Sequence, residues 1–146
     1  MCVSICEDSH IPSPREYLPR MCSASPRKPR VLVADDEKII ADTLKLILAR
    51  AGYEVSVAYD GIEAVNIANE WLPDLFLSDV FMPGFSGIEA AIKICERLPD
   101  CKVLLMSGQG DSHDLRREIE SKCRGVQLFS KPVPPTKLIA HLRTLL

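Results

Sequence analysis

The chain has 146 residues, enough for one domain, and its apolar content of 47% is ordinary for a globular protein. Its formal net charge of −2 excludes a strongly basic surface, so we do not expect nucleic acid as a direct ligand. The sequence has neither an apolar run of about 18 residues, as a membrane span needs, nor the features of a signal peptide. We therefore expect a cytoplasmic protein without a membrane partner.

The first 29 residues differ in composition from the rest. They contain five of the 11 prolines and several serines, and they show no apolar periodicity. Such a segment buries too little apolar surface to offset the entropy lost on ordering. We expect a flexible, Pro/Ser-rich N-terminal extension over residues 1–29 and a folded domain over residues 30–146.

Six cysteines are present, three of them within the first 22 residues. In a reducing compartment they are most simply free thiols. A metal site is the alternative for the N-terminal group, although its spacing matches no common zinc pattern. That group would be Cys2, Cys6, His10 and Cys22.

After residue 29 the sequence alternates apolar runs with amphipathic segments. The apolar run at residues 31–34 predicts a strand buried on both faces, and residues 54–59 predict a second strand. Between them, apolar residues recur with helical spacing at Ile40, Leu44, Ile47, Leu48 and Ala51. Asp60 is a suitable N-cap for a second helix. The apolar face expected for that helix is Ile62, Val65, Ala68 and Leu72.

The alternation continues to the end of the chain. Three more strands are predicted, at residues 74–80, 103–106 and 126–129. Ser86 can cap a third helix, whose expected inward residues are Ile88, Ala91, Ile92 and Cys95. A fourth helix at residues 112–124 has a weak apolar stripe of Leu115 and Ile119. The last helix begins at Pro135, with an expected inward face of Leu138, Leu142 and Leu145.

Polar side chains follow four of these strands. Five strands that alternate with five helices predict an α/β domain with a parallel sheet, in which ligands bind at the carboxyl ends of the strands. The residues at those ends are Asp35, Asp36 and Glu37 after the first strand, Asp79 after the third, Ser107 after the fourth and Lys131 after the fifth. We expect them to meet at one edge of the sheet.

This set of side chains indicates phosphoryl transfer. Carboxylates held close together repel one another unless a cation lies between them, and oxygen ligands favour Mg²⁺, with Mn²⁺ as an alternative. The hydroxyl of Ser107 can donate a hydrogen bond to a phosphate oxygen, and Lys131 can neutralise its charge. Asp79 can itself be the nucleophile. Glu37 is more simply explained as an acid that favours the start of a helix.

Four motifs together resemble the receiver domain of two-component response regulators. They are VLVADDE (31–37), DVFMPGFSG (79–87), LLMSG (104–108) and SKP (130–132). The resemblance covers residues 30–146. It implies a doubly wound, flavodoxin-like three-layer sandwich whose five-stranded parallel sheet has the order 2-1-3-4-5. It also implies that Asp79 accepts a phosphoryl group from a sensor histidine kinase or a histidine phosphotransfer protein.

The resemblance implies roles for the metal ligands by position. Asp36, Asp79 and the backbone carbonyl of Phe81 would bind Mg²⁺ directly, and Asp35 would bind it through water. The domain would catalyse its own phosphotransfer and slow dephosphorylation, without turning over an independent small-molecule substrate.

The resemblance also implies the parts of a switch. Ser107 would be the switch hydroxyl and Lys131 the phosphate-binding lysine, with a cis peptide bond before Pro132. The family often has an aromatic residue three positions before the lysine, where this chain has Leu128. We expect Leu128 to take part in the switch with Ser107, although it cannot supply the aromatic ring.

Phosphorylation would draw Ser107 and Lys131 toward the added charge of about −1.5 to −2. Because the predicted fourth helix has the weakest apolar stripe, we expect the surface formed by residues 111–146 to carry the output to a protein partner. A phosphorylation-linked homodimer is a further candidate. The chain resembles a single-domain regulator, and a receiver fragment of a larger regulator is the alternative.

Three other functions compete with this interpretation. A hydrolase with an aspartate nucleophile needs an acid two residues later, where this chain has Phe81. A flavin-binding module needs a glycine- and hydroxyl-rich loop after the first strand, where this chain has acids. A degenerate receiver would bind partners without being phosphorylated.

Overall fold

The computed structural model describes residues 27–82, 84–108, 113–123 and 125–146. Along these residues, strands and helices alternate as predicted, with bounds close to those expected from the sequence. They are β1 (Arg30–Ala34), α1 (Lys38–Arg50), β2 (Glu54–Ala58), α2 (Gly61–Trp71), β3 (Leu75–Asp79), α3 (Gly87–Arg97), β4 (Lys102–Ser107), α4 (His113–Lys122), β5 (Gln127–Ser130) and α5 (Pro135–Leu145).

The strands form one parallel sheet in the order β2-β1-β3-β4-β5. This confirms the predicted doubly wound α/β fold. The register pairs Asp79 with Met106 and Ser107 with Ser130, so the carboxyl ends of neighbouring strands lie side by side. The residues that follow each strand are thereby brought to the same edge.

Two apolar clusters cover the two faces of the sheet. Leu32, Phe76 and Leu105 point to one side, where they pack with buried residues of α2, α3 and α4. Val33 and Leu77 point to the other side and pack with buried residues of α1 and α5. Alternate residues of a strand face opposite sides, so the central strands are apolar throughout, as the sequence predicts.

The predicted inward faces of the second and third helices are partly wrong. Ile62 and Leu72 are 49% and 51% exposed. Ala68 in α2 and Ala91 in α3 are buried as predicted, and the other buried residues are Gly61 and Ala64 in α2 and Gly87, Ala90 and Ile94 in α3. The two helices pack against each other, and the loop between β3 and α3 lies close to the start of α2. A Cβ on Gly61 would lie 2.0 Å from the carbonyl oxygen of Phe85 in that loop. Because α2 and α3 approach each other closely, the faces that carry their small side chains are the buried ones.

The predicted helix starts are confirmed. The Asp60 side chain accepts a hydrogen bond from the backbone N–H of Glu63, at 2.7 Å. Ser86 and Glu89 form a reciprocal capping box at the start of α3. These caps fix where both helices begin, and α3 begins directly after the loop that follows β3.

The prediction of free thiols is wrong for one pair of cysteines. Cys95 in α3 and Cys123, directly after α4, form a disulfide with their Cα atoms 6.1 Å apart. Their packing could not be predicted from the sequence, because 28 residues separate them. Cys101 is free and buried. The predicted extension, apart from residues 27–29, and the alternative metal site of Cys2, Cys6, His10 and Cys22 lie outside the described residues.

Arg27 contacts the folded domain just ahead of β1. Its guanidinium donates two hydrogen bonds to the carboxylate of Asp74, at 2.9 and 3.0 Å. Asp74 also accepts from the backbone N–H of Arg30 at 2.8 Å. In the part of the chain that the structure describes, no helix has both the length and the apolar character to cross a bilayer.

Candidate functional site

The side chains that the sequence predicts to meet lie at the carboxyl edge of the sheet. Asp35 and Asp36 follow β1, and Asp79 is the last residue of β3. Ser107 ends β4 and is 2% exposed. Lys131 follows β5, and its backbone N–H donates to the carbonyl oxygen of Ser107 at 2.8 Å. The sheet register therefore sets the position of every member.

Three carboxylates form the centre of this site. Asp35, Asp36 and Asp79 each offer an oxygen, and these oxygens lie within 4.8 Å of one another. Asp36 is exposed, Asp79 is partly buried and Asp35 is fully buried. Like charges at this spacing destabilise one another unless a cation lies between them.

Asp35 has an unusual environment for an acid. One carboxylate oxygen accepts a hydrogen bond from the N–H of Glu37 at 3.0 Å, whereas the other is buried without a partner among the described residues. Burial raises the pKa of Asp35, and the charges of Asp79 and Asp36 raise it further. The Glu37 N–H and Lys131 oppose this rise in pKa without cancelling it.

A divalent cation suits this arrangement. The unpartnered oxygen of Asp35 and the two neighbouring carboxylates supply hard oxygen donors of the kind that Mg²⁺ binds. The predicted role of the Phe81 carbonyl stays a prediction. Phe81 itself is 61% exposed, close in sequence to Asp79.

Lys131 pairs directly with the predicted acceptor. Its Nζ donates to Oδ2 of Asp79 at 3.0 Å, and the two side chains are 29% and 14% exposed. The peptide bond between Lys131 and Pro132 is cis. At the distance of 3.0 Å, the ammonium group of Lys131 offsets the negative charge of the Asp79 carboxylate.

Sequence reasoning assigned no structural role to two residues that support Asp79, although Gly87 belongs to the 79–87 motif. A Cβ on Gly87 would lie 2.0 Å from the carbonyl oxygen of Asp79, so glycine is required for α3 to begin this close to β3. The Ser78 hydroxyl is buried and donates to the same carbonyl oxygen at 2.8 Å. A serine in an otherwise apolar strand was the available signal for Ser78.

Leu128 and Phe129 face opposite sides of the sheet. Leu128 is 9% exposed and belongs to the cluster that contains Ile119 of α4. Phe129 instead packs edge-on against His141 of α5, with the ring centroids 4.8 Å apart. Phe129 therefore does not replace the aromatic residue that position 128 lacks.

The face beside β5 is grooved. One groove of about 250 Å³ is lined by residues on both sides of the Lys131 position, among them Leu128, Ser130, Val133 and Lys137. A second, of about 420 Å³, follows residues 125–129. Because β5 lies at one edge of the described sheet, both grooves border a strand edge.

The comparison with protein families matches most of the chain. The model of the response regulator receiver domain matches residues 31–143. This range includes the acidic edge, Asp79, Ser107 and Lys131.

Solved structures of similar fold come from the same family. A CheY-like response regulator receiver domain protein from Methanospirillum hungatei is 26% identical, with a TM-score of 0.73, over 80% of this chain and 92% of its own. The chemotaxis protein CheY4 of Vibrio cholerae is 26% identical, with a TM-score of 0.73, over 82% of this chain and 99% of its own. A two-component transcriptional regulator AraC from Clostridium phytofermentans is 33% identical, with a TM-score of 0.67, over 80% of this chain and 90% of its own. The chain therefore belongs to the family of response regulator receiver domains, which are signalling modules rather than metabolic enzymes.

Proposed function

We propose that this domain accepts a phosphoryl group on Asp79 and passes the signal to a protein partner. The observation that carries the proposal is the pairing of Asp79 with Lys131 at 3.0 Å, beside two further carboxylates. Asp79 is only partly buried, so a donor can reach it. The donor class is a phosphohistidine on a sensor kinase or a phosphotransfer protein, as in two-component systems.

The transfer needs few groups. A carboxylate oxygen of Asp79 attacks phosphorus, a P–O bond forms, and the P–N bond to the donor imidazole breaks. The leaving imidazole keeps the electron pair and takes a proton from water, which leaves neutral histidine on the donor. Lys131 offsets the charge on the transferred oxygens, and Ser107 donates a hydrogen bond to one of them.

Asp35, Asp36 and Asp79 would hold the Mg²⁺ ion, or Mn²⁺, with the Phe81 carbonyl as a further ligand. When bound, the ion neutralises the carboxylates and the incoming phosphoryl group. The buried oxygen of Asp35 supports this assignment, because it has no hydrogen-bond partner among the described residues and a bound cation or one of its waters would supply one.

The output would leave through the surface formed by residues 111–146, of which residues 111, 112 and 124 lie outside the described ranges. Ser107 and Leu128 connect the site to this surface, since Leu128 packs in the same cluster as Ile119 of α4. The grooves beside β5 offer a partner protein, or a second copy of the chain, concave places to bind.

Incubation with acetyl phosphate and Mg²⁺, followed by intact-mass measurement, tests the proposal. The wild type should gain one phosphoryl group, and Asp79→Asn should gain none. Asp100→Asn, which changes an exposed acid in the loop before β4, is the matched control and should behave as wild type. If the wild type gains no mass, the degenerate receiver becomes the better interpretation.

A further inference from the structure

The C-terminal part of helix α4, residues 117–122, is held to the domain by few buried side chains. Among the side chains described for it, at residues 117–122, Ile119 alone is buried. Cys123 follows immediately, is 2% exposed, and donates its backbone N–H to the carbonyl oxygen of Ile119 at 2.8 Å. The C-terminal end of α4 therefore depends on two side chains for its position.

Helix α3 is held much more firmly. Its N-terminus carries a capping box, and Ala90, Ala91 and Ile94 are buried in the core. Cys95 lies on this helix, half-buried, and is joined to Cys123. The disulfide therefore ties the weakly anchored C-terminal end of α4 to the strongly anchored helix α3.

A third cysteine in the same core cluster behaves differently. Cys101 is 7% exposed and has no cysteine partner among the described residues. Burial raises the pKa of its thiol to about 12, so it stays protonated and unreactive at neutral pH. Cys101 is thus an internal reference for a cysteine that only fills space.

We propose that Cys95 and Cys123 are a reversible thiol–disulfide pair, oxidised by low-molecular-weight disulfides, that fixes the end of α4 against α3. The pair is suited to reversible exchange because Cys95 is the more exposed partner and Cys123 lies within reach behind it.

The chemistry balances without a metal or cofactor. The Cys95 thiolate, having lost its proton to water, attacks one sulfur of the oxidant, which forms a mixed disulfide and releases one thiolate. Cys123 then loses its proton and attacks the Cys95 sulfur, which closes the protein disulfide and releases the second thiolate. Two protein thiols are oxidised, one small disulfide is reduced, and the two protons reside on the released thiols.

The consequence for signalling rests on the proposed function. Along the chain, helix α4 comes after Ser107, at the end of β4, and before strand β5. If phosphorylation on Asp79 shifts α4, a covalent link to α3 restricts that shift. The oxidised domain should therefore respond less to phosphorylation than the reduced domain.

The test compares wild-type protein treated with glutathione disulfide and with dithiothreitol. Peptide mapping of the oxidised protein should find Cys95 joined to Cys123, and hydrogen exchange of the amides of residues 117–123 should be about tenfold or more faster in the reduced protein. Cys95→Ser should exchange fast under both treatments, and Cys101→Ala should follow the wild type. The inference is overturned if other cysteines pair instead, or if exchange is equal in the two wild-type forms.

Beryllofluoride with Mg²⁺ separates this inference from the proposed function. A change of α4 exchange in the reduced protein and a smaller one in the oxidised protein supports both. No change in either form, with the redox difference intact, rejects the proposed function and leaves the thiol pair supported. An equal change in both forms rejects the restraint on α4.

Discussion

The buried carboxylate of Asp35 destabilises the metal-free fold, although the proposed function needs it as part of the Mg²⁺ site. Its buried oxygen has no hydrogen-bond partner among the described residues, and burial raises its pKa. A carboxyl whose pKa is raised on folding opposes folding in its ionised form. Its contribution to stability is thus complete below its unfolded pKa and is lost as the pH rises through the folded value.

Asp35→Asn should therefore stabilise the metal-free protein at neutral pH while weakening Mg²⁺ binding by about 10- to 100-fold. Urea unfolding in the presence of a chelator should give a higher midpoint urea concentration for the variant than for the wild type at pH 7. The difference between the two midpoints should narrow as the pH falls. Calorimetric titration measures the loss of Mg²⁺ affinity. A lower midpoint for the variant in chelator would contradict the electrostatic account of Asp35.

Gly87 and Gly108 form a matched pair of glycines near the site. A Cβ on Gly87 meets the Asp79 carbonyl oxygen at 2.0 Å, whereas a Cβ on Gly108 comes no closer than 4.0 Å to Lys131. Gly87→Ala should cost about 1–3 kcal/mol of unfolding free energy, because backbone must move, and should slow phosphorylation of Asp79. Gly108→Ala should change both little.

Denaturation and acetyl phosphate labelling of the two alanine variants measure these effects. Equal stability of both variants would mean that the start of α3 can shift away from β3 at little cost. In that case, Gly87 would not be needed to position Asp79.

At the scale of the elements, the helices divide into firmly and weakly held ones. α2 and α3 bury small side chains against each other, and side-chain caps fix their starts. At the described C-terminal end of α4, Ile119 is buried and Cys123 is joined to α3 by the disulfide. α4 has the fewest buried anchors among the described side chains of α2, α3 and α4, so it is the element that the proposed switch would shift most easily.

Reduction of the disulfide should lower the stability of the domain. A cross-link between residues 28 apart restricts the unfolded chain by about 3–4 kcal/mol in the chain-entropy treatment. Urea unfolding with and without dithiothreitol measures the difference. Cys95→Ser should unfold at the same urea concentration under both conditions, and a reductant effect that persists in this variant would assign the stabilisation to other cysteines.

At the scale of the whole molecule, one sheet places all the site residues at the carboxyl ends of its strands. The strand order puts β1 beside β3 and β3 beside β4, so that Asp35, Asp79 and Ser107 come from successive neighbours. The same order leaves β5 as the outermost strand, next to the two grooves. Strands β4 and β5 therefore join the site to the proposed output surface.

The amino-acid sequence alone determined the alternation of strands and helices, the caps at Asp60 and Ser86, and the edge at which Asp79 would meet the other site residues. These features depend on local patterns, because apolar period, capping residues and strand ends can each be recognised within a few neighbouring positions. The composition of the acidic site was predictable for this reason.

Only the tertiary structure decided which face of α2 is buried, why residue 87 must be glycine, and that Cys95 lies beside Cys123. Each of these depends on the distance between elements that are remote in the chain. Ile62 is more apolar than Ala64, yet Ile62 is 49% exposed whereas Ala64 is fully buried in the core cluster between the sheet and the helices. Packing distance, which no local pattern encodes, settled those positions.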